Sequence, residues 1–261
     1  MQVLFYKYQG TGNDFIMIDN REMSLTIHKN FTFIEKLCHR RFGIGADGLI
    51  LLEKSSVADF KMVYFNADGH PSTMCGNGGR CIVSFASFLS IFDHTTTFEA
   101  IDGLHHASVR EDDLISLGMN DVSYIQNVAD KSFVLNTGSP HYVQLENSMP
   151  ENIYESGRKI RYSEAYIQDG INVNFVVEDN GILQVCTYER GVEDETYSCG
   201  TGVVASAIAS LVHQPAGKYQ VNIRTKGGNL TVVVEKMDTD TYQNIQLTGP
   251  VVQVFKGYFE I

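Results

Sequence analysis

At 261 residues, 43% of them apolar, the chain is long enough for one or two domains with a proper core. Its formal net charge of −11, with no basic stripe to offset it, argues against a nucleic-acid or anionic-membrane partner. The five cysteines (Cys38, Cys75, Cys81, Cys186 and Cys199) are odd in number and irregular in spacing, matching neither a zinc motif nor a secreted disulfide framework. Residues 1–8 carry no signal pattern and no apolar run reaches membrane-spanning length, so the cytoplasm is the expected location.

Residues 3–8 and 15–19 read as strands around Gly10-Thr11-Gly12-Asn13-Asp14, a turn of small and polar residues. Thr32-Phe33-Ile34-Glu35 matches a capping box, and its helix is expected to run towards Phe42 before Gly43 ends it. Gly43-Ile44-Gly45-Ala46-Asp47-Gly48 has the G-x-G-x-x-G spacing of a dinucleotide loop. That fingerprint needs a strand before it and a helix after it; here a helix precedes and the strand-like Leu49-Ile50-Leu51-Leu52 follows. Dinucleotide binding is therefore set aside.

A further strand at 60–65 leads through Asn66-Ala67-Asp68-Gly69 to Met74-Cys75-Gly76-Asn77-Gly78-Gly79-Arg80-Cys81. There Cys75 stands before a glycine-rich turn that opens a helix through the apolar residues 82–92, whose only charge is Arg80. A thiol at a helix N-terminus meets the positive end of the dipole, which stabilises its thiolate and lowers its pKa. The glycines leave amides bare, a cradle in which a carboxylate can dock. One such segment taken alone reads better as a buried structural thiol beside a tight turn.

The chain continues with β-rich stretches at 96–101, 105–109 and 114–119, then a polar segment, 121–131, that holds the domain junction. Strands at 133–136 and 142–145 flank Gly138-Ser139-Pro140-His141, a short helix is expected at 150–156, and strands return at 173–177 and 183–188. A second cysteine turn follows, Ser198-Cys199-Gly200-Thr201-Gly202, opening the uncharged run 203–212; three or four β segments close the chain between 221 and 259.

The two cysteine segments belong to a repeat. Tyr64 and Tyr188 each precede their cysteine by eleven residues, and Ile101-Asp102-Gly103 recurs as Lys226-Gly227-Gly228 at nearly the same offset. Both helices are apolar all round, so each should be buried on every side. The reading is an α+β fold of two pseudo-symmetric domains, 1–121 and 122–250, each a rolled, mostly antiparallel sheet around one central helix. If the domains face each other, two cysteines with amide cradles converge on one bound molecule. One then removes a proton from one face of a carbon while the other returns it on the opposite face, which is racemisation or epimerisation. No motif for pyridoxal phosphate or a metal is present.

At these residues the sequence resembles the diaminopimelate epimerase family. The resemblance rests on Gly10-Thr11-Gly12-Asn13-Asp14-Phe15, Asn66-Ala67-Asp68-Gly69, the eight-residue Cys75 motif, and Tyr188-Glu189-Arg190-Gly191 with the Cys199 motif, and it spans nearly the whole chain. Proline and hydroxyproline racemases share the paired cysteines but are longer and typically carry His where Asn77 stands; phenazine-type isomerases of the same fold lack the cysteines. The resemblance implies cofactor-free and metal-free interconversion of LL- and meso-diaminopimelate by a homodimer, in lysine and cell-wall precursor synthesis. It implies Cys75 and Cys199 as the catalytic bases with His141 and Glu189 beside them. Asn13, Asn66, Asn172, Glu189 and Arg190 would bind substrate, and Gly76, Asn77, Gly200 and Thr201 would supply the cradles. It also implies that a strand within 251–261 returns to the first domain.

Each residue has a plainer alternative. His141 could be a hydrogen-bonded structural histidine, Asn13 and Asn172 turn residues bonding their own backbone, and Glu189-Arg190 a solvated pair. Cys38, Cys81 and Cys186 read as core thiols. Cys81 lies six residues past Cys75, roughly 600° round a helix, and should face elsewhere. Two departures bear on specificity: Ser139 stands where the family usually has Asn, and Gly48 where some members have Gln. A related racemase acting on another amino acid is the second reading. A binding protein without turnover is a third, against which both cysteines in matching cap positions speak.

Overall fold

The chain opens with a hairpin, β1 (Gln2–Gly10) and β2 (Asn13–Asp19), closed by Thr11 and Gly12. Both turn residues have positive φ, 50° and 86°, the geometry that keeps the natural strand twist through a two-residue turn. The computed structural model describes residues 1–22, 25, 27 and 30–261. They divide into two units, residues 1–117 with 250–261 and residues 118–249.

In the first unit, α1 (Phe31–Cys38) is capped by Asn30, whose Oδ1 accepts the Phe33 N–H at 3.1 Å. The expected Thr32 capping box is thus displaced by two residues. The helix stops four residues short of Phe42, because His39 turns extended (φ −66°, ψ 120°). β3 (Gly48–Glu53) lies parallel to β2 and antiparallel to β4 (Phe60–Asn66). After α2 (Gly76–Phe88), β5 (Thr95–Ala100) lies parallel to β4 and is followed antiparallel by β6 (Gly103–Val109) and β7 (Ile115–Gly118). The expected helix to residue 92 ends at Phe88, and Ser90 takes a left-handed φ of 55°.

The second unit repeats this order. β8 (Ile125–Ala129) pairs with β9 (Ser132–Asn136), which pairs with β10 (Pro140–Glu146). α3 (Ile153–Arg161) carries the chain to β11 (Asn172–Asp179), parallel to β10, and β11 pairs with β12 (Ile182–Glu189). The short β13 (Asp194–Thr196) and α4 (Gly200–Ser210) lead to β14 (Gly217–Thr225), parallel to β12, then β15 (Gly228–Lys236) and β16 (Tyr242–Gly249). Finally β17 (Val252–Glu260) pairs antiparallel with β1 in the first unit. In each unit the two parallel steps are the ones that cross through a helix, as parallel pairing requires.

The matched tripeptides of the repeat are matched hairpins: Ala100 faces Gly103 across one, Thr225 faces Gly228 across the other. The central helices are sheathed by their sheets. Along α4, Val203, Val204, Ala205, Ala207 and Ile208 are wholly inaccessible, and along α2 so are Cys81, Ile82, Val83, Phe85 and Ala86. Each buried Val, Ile or Phe contributes about 1.5–3 kcal/mol, so these two helices are the anchors of their sheets. β8 falls within the stretch read as polar junction; only its Ile125 is buried, so it lacks the alternation that marks a strand. Helix α3 spans 153–161 rather than 150–156, capped by Asn152, whose side chain accepts the Glu155 N–H. Among the described residues no helix is long and apolar enough to cross a membrane.

Candidate active site

Cys75 is the cap of α2, its backbone extended (φ −107°, ψ 145°) and its Sγ accepting the Gly78 N–H at 3.1 Å. A side chain at this position does what Ser or Asp does in an ordinary cap, so the sulfur is held where the helix amides point. Behind it the fully buried Arg80 folds back along the first turn. Its Nη1 donates to Gly76 O (3.1 Å), and its Nη2 donates to Asn77 Oδ1 (2.9 Å) and Thr11 Oγ1 (3.2 Å). Because Arg80 occupies the amide oxygen of Asn77, the Nδ2 end turns outward and donates to Asn13 Oδ1 at 3.5 Å.

Asn13 is in turn held by Asp47, whose Oδ2 accepts from Asn13 Nδ2 (2.7 Å) and from the Asp14 N–H (3.1 Å). Asp14 sits between Lys7 and Arg40, which hold its carboxyl down at about 2 against the opposing effect of burial. The Gly43–Gly48 loop thus serves to brace the site, since Lys7 Nζ donates to Gly45 O and Asp47 anchors Asn13. Gly48 itself is a packing glycine. A Cβ there would lie 2.5 Å from Phe65 O and 2.6 Å from Tyr64 Cε2, so no longer side chain fits at this position.

At the other helix, Cys199 caps α4 in the same extended conformation (φ −113°, ψ 112°), with Sγ 3.4 Å from Thr201 Oγ1. Thr201 Oγ1 is 2.9 Å from Nε2 of His141, which has no accessible surface. The protonation of His141 follows from its neighbours. Asn174 Nδ2 donates to Tyr142 O and, at 3.0 Å, to His141 Nδ1, while Asn174 Oδ1 accepts from Thr187 Oγ1. A carbonyl can only accept, so Tyr142 fixes the amide; Nδ1 is an acceptor and the single ring proton sits on Nε2, facing Thr201. Burial, and then the Arg190 charge, hold the imidazole neutral, its pKa down at about 3. A second threonine, Thr137, ties the turn before β10 to the helix by donating to Thr201 O (2.8 Å).

Asn172 pairs across the sheet with His141, and its side chain is held in place by three hydrogen bonds. Its Nδ2 donates to Ser139 Oγ (2.7 Å) and Pro140 O (3.0 Å), and its Oδ1 accepts the Arg190 N–H (2.9 Å). Ser139 therefore stands next to Asn172 rather than apart from it. Arg190 is exposed, with Nη1 donating to Asp169 O at 3.0 Å, and Glu189 is the half-buried last residue of β12. Asn66 is the half-buried last residue of β4, opposite Gly48. The first unit thus assembles Cys75, Gly76, Asn77 and Asn13, with Asn66 at a neighbouring strand end; the second assembles Cys199, Gly200, Thr201, His141, Asn172 and Arg190, with Glu189 adjoining. A separate cleft of about 1130 Å³ in the second unit, lined by Tyr142, Gln144, Lys159, Tyr166 and Phe175 among others, includes none of these site residues.

Sequence reasoning did not assign Thr11, Asp47, Thr137, Asn174 or Thr187. For Asn174 a signal existed: two residues from Asn172 on a strand, it presents its side chain to the same face. Two of the remaining cysteines are core thiols, whereas Cys186 on β12 is only half-buried and bonds Glu195. Cys38 and Cys81 are buried, and burial pushes the Cys38 thiol up to about 12 and that of Cys81 higher still.

The profile of the diaminopimelate epimerase family matches residues 5–125 and 133–254. A diaminopimelate epimerase of Flavobacterium psychrophilum is 52% identical over 253 residues, covering 96% of this chain and 98% of that one. One from Chlorobaculum tepidum is 41% identical over 260 residues, covering 95% and 98%. Among solved structures, a PhzF-family phenazine biosynthesis protein of Bacillus anthracis superposes with a TM-score of 0.79 at 14% identity, over the whole of both chains. A hydroxyproline epimerase from Agrobacterium vitis with bound trans-4-hydroxy-L-proline gives 0.72 at 15%, over 99% of this chain and 91% of that one. These two likenesses confirm the α+β fold, and the family match covers most of both halves. The chain belongs to the diaminopimelate epimerase family.

Proposed function

We propose that the protein interconverts LL- and meso-diaminopimelate by a two-base mechanism that uses no cofactor and no metal. The observation that carries the proposal is the pair of cysteines, each capping the central helix of its own unit. In the proposed cycle, one sulfur as thiolate takes the α-proton while the other, as thiol, delivers a proton to the opposite face; the pair exchange states each turnover. The amides of Gly76, Asn77, Gly200 and Thr201 hold the α-carboxylate and stabilise the charge that develops on it. Asn13, Asn66, Asn172, Glu189 and Arg190 bind the rest of the substrate, and His141 and Glu189 support the thiols. The reading makes the enzyme a cytoplasmic homodimer that supplies lysine and peptidoglycan precursor synthesis.

Ser139, hydrogen-bonded to Asn172, is the observation that favours a second reading, a racemase of the same mechanism acting on another amino acid. Incubation with LL-diaminopimelate and a panel of other amino acids, followed by chiral chromatography, separates the two. Inversion confined to one centre of diaminopimelate is expected. Turnover of another amino acid with diaminopimelate untouched selects the second reading, and inversion of nothing in the panel overturns both.

A further inference from the structure

Arg80 is unused by the two-thiol reading, and its environment is unusual. It is a wholly buried guanidinium that forms no ion pair with a carboxylate among the described residues; its Nε finds no hydrogen-bond partner there either. All its bonds go to neutral oxygens at the first turn of α2 or beside it, so a positive charge is fixed beneath the helix end. A buried charge left uncompensated is strongly disfavoured, and burial draws this guanidinium down to about 10 even with the Cys81 and Cys75 sulfurs opposing the shift. It needs a counter-ion.

The candidates can be taken element by element. The strands packed on α2 include β1, β2, β3 and β6; β4, whose Lys61 pairs with Glu99, and the uncharged β7 reach it through Met62 and Leu117. On β1 and β2, Lys7 and Asp14 pair with each other, Arg40 adds to Asp14, and Asp19 pairs with Arg21. On β3, Glu53 accepts from Asn20. On β6, His105 meets Asp102, whose carboxylate also accepts the Met74 N–H, and His106 meets Thr97. Burial pushes the Tyr8 phenol on β1 upward, so it stays protonated. Two thiols on the helix remain, Cys75 and Cys81. Burial drives the Cys81 thiol far upward, so it stays protonated. Cys75 is half-buried at the cap, accepts the Gly78 N–H and lies at the positive end of the dipole.

We propose that Arg80 is a positioning residue that makes Cys75 the anionic thiol of the substrate-free protein, its guanidinium finding its counter-charge in the Cys75 sulfur. Through Asn77 it also holds the neighbouring amide with its N–H end outward. Among the described residues no buried cation stands in the equivalent place at the α4 end: the fifth residue past Cys199 is the buried Val204, and the nearby buried titratable group, His141, is neutral. Arg190 on that unit is exposed and screened by water, and Glu189 of opposite sign precedes it. The inference rests on Cys75 being an acid–base group, but its test needs no substrate.

The test is the pH dependence of alkylation by iodoacetamide, read at each cysteine by peptide mass mapping of the substrate-free protein. Accessibility sets the rate, whereas the midpoint of the profile reports the thiol itself. In the wild type Cys75 should titrate below Cys199. Arg80→Met should raise the Cys75 midpoint by a unit or more, a tenfold or greater fall in the thiol's ionisation constant, and leave Cys199 where it was. Arg80→Lys, which keeps the charge and loses the fork, should keep the Cys75 midpoint low. Coincident or reversed midpoints in the wild type, or an unmoved Cys75 in Arg80→Met, overturn the inference. If Arg80→Met does not fold, the wild-type order and the Lys variant decide. A low Cys75 midpoint in a protein that inverts no amino acid would sink the proposed function and leave this inference standing.

Discussion

The N-termini of α2 and α4 carry the same cysteine on the same extended cap, each opening a glycine-containing first turn, yet their surroundings differ in kind. Behind Cys75 stands a fixed charge, Arg80, with Asn77 and Thr11 arranged around it. Behind Cys199 stands a chain of neutral dipoles from Thr187 through Asn174 and His141 to Thr201. A fixed charge favours one ionisation state of the sulfur beside it. A hydroxyl that both donates and accepts can serve thiol and thiolate alike by reversing its hydrogen bond. A repeat with identical ends would favour neither ionisation state; here the two ends share a backbone and differ in their polar surroundings.

The most severe way to break the comparison is to remove the ends one at a time. Cys75→Ala and Cys199→Ala should each cost ~10²-fold or more in epimerisation, the scale of a missing acid–base group. Circular dichroism and melting should stay near wild type, because the cap backbone and the helix amides remain. If either variant keeps more than about a tenth of the activity, the two ends are not equal partners and the two-base cycle is wrong.

Next in size is the glycine three residues past each cysteine. At Gly202 an added Cβ would sit against Asn174 Oδ1 closer than real contacts allow, with His141 Cε1 and Thr187 Oγ1 at 3.3 Å. At Gly78 it would meet Cys75 Sγ at 3.1 Å and the ends of Ile50 and Met62 at 3.2 and 3.4 Å, atoms of side chains that can yield. Gly202→Ala should therefore destabilise by ~2–3 kcal/mol, as overpacking and a disrupted buried network do together. Gly78→Ala should cost ~1 kcal/mol or less, offset by the helix propensity of alanine. Urea midpoints of the two variants give the ranking; equal losses would mean that the neutral network is as yielding as the apolar one.

Much of this comparison was legible in the sequence, and the rest was hidden for definite reasons. The two cysteine turns, the helices behind them and the matched hairpins at Gly103 and Gly228 all depend on local pattern, and each stands where the repeat places it. Arg80 too was visible as a lone charge in an apolar helix, although a charge does not announce which way it folds. The polar chain behind Cys199 was not visible, because Thr187, Asn174 and His141 come from three strands and meet only through sheet register. β8 was obscured by exposure, and the Thr32 box was outcompeted by Asn30, two residues earlier.

A finer cut separates the ends without touching a cysteine. Thr201→Val keeps the shape but deletes the hydroxyl between His141 Nε2 and Cys199 Sγ, leaving a buried N–H without its acceptor. The expected loss is ~1–3 kcal/mol of stability and about tenfold in rate. Thr201→Ser, which keeps the hydroxyl, should stay within about threefold of wild type. A valine variant as active as the serine one would show that the dipole chain is structural only.

The effect most specific to the neutral end is a slope. His141 is held neutral in the folded protein, near 3, by burial and then by Arg190, whereas an unfolded histidine takes up its proton near 6.5. Between those values the unfolded chain binds one more proton at this site than the folded one. Stability from the neutral imidazole is fully present above about pH 6.5 and is lost progressively as the pH falls towards 3. The share of this site is one proton, or about 1.4 kcal/mol per pH unit. Other groups contribute to acid unfolding, Asp14 among them, but they are common to any variant of His141. Urea denaturation of wild type and His141→Gln between pH 4.5 and 7 should thus give two lines that diverge with rising pH, the wild type steeper by one proton. Parallel lines would mean that His141 is protonated in the fold. Its Nδ1 would then be a donor facing the amide nitrogen of Asn174, and the neutral end would carry a charge after all.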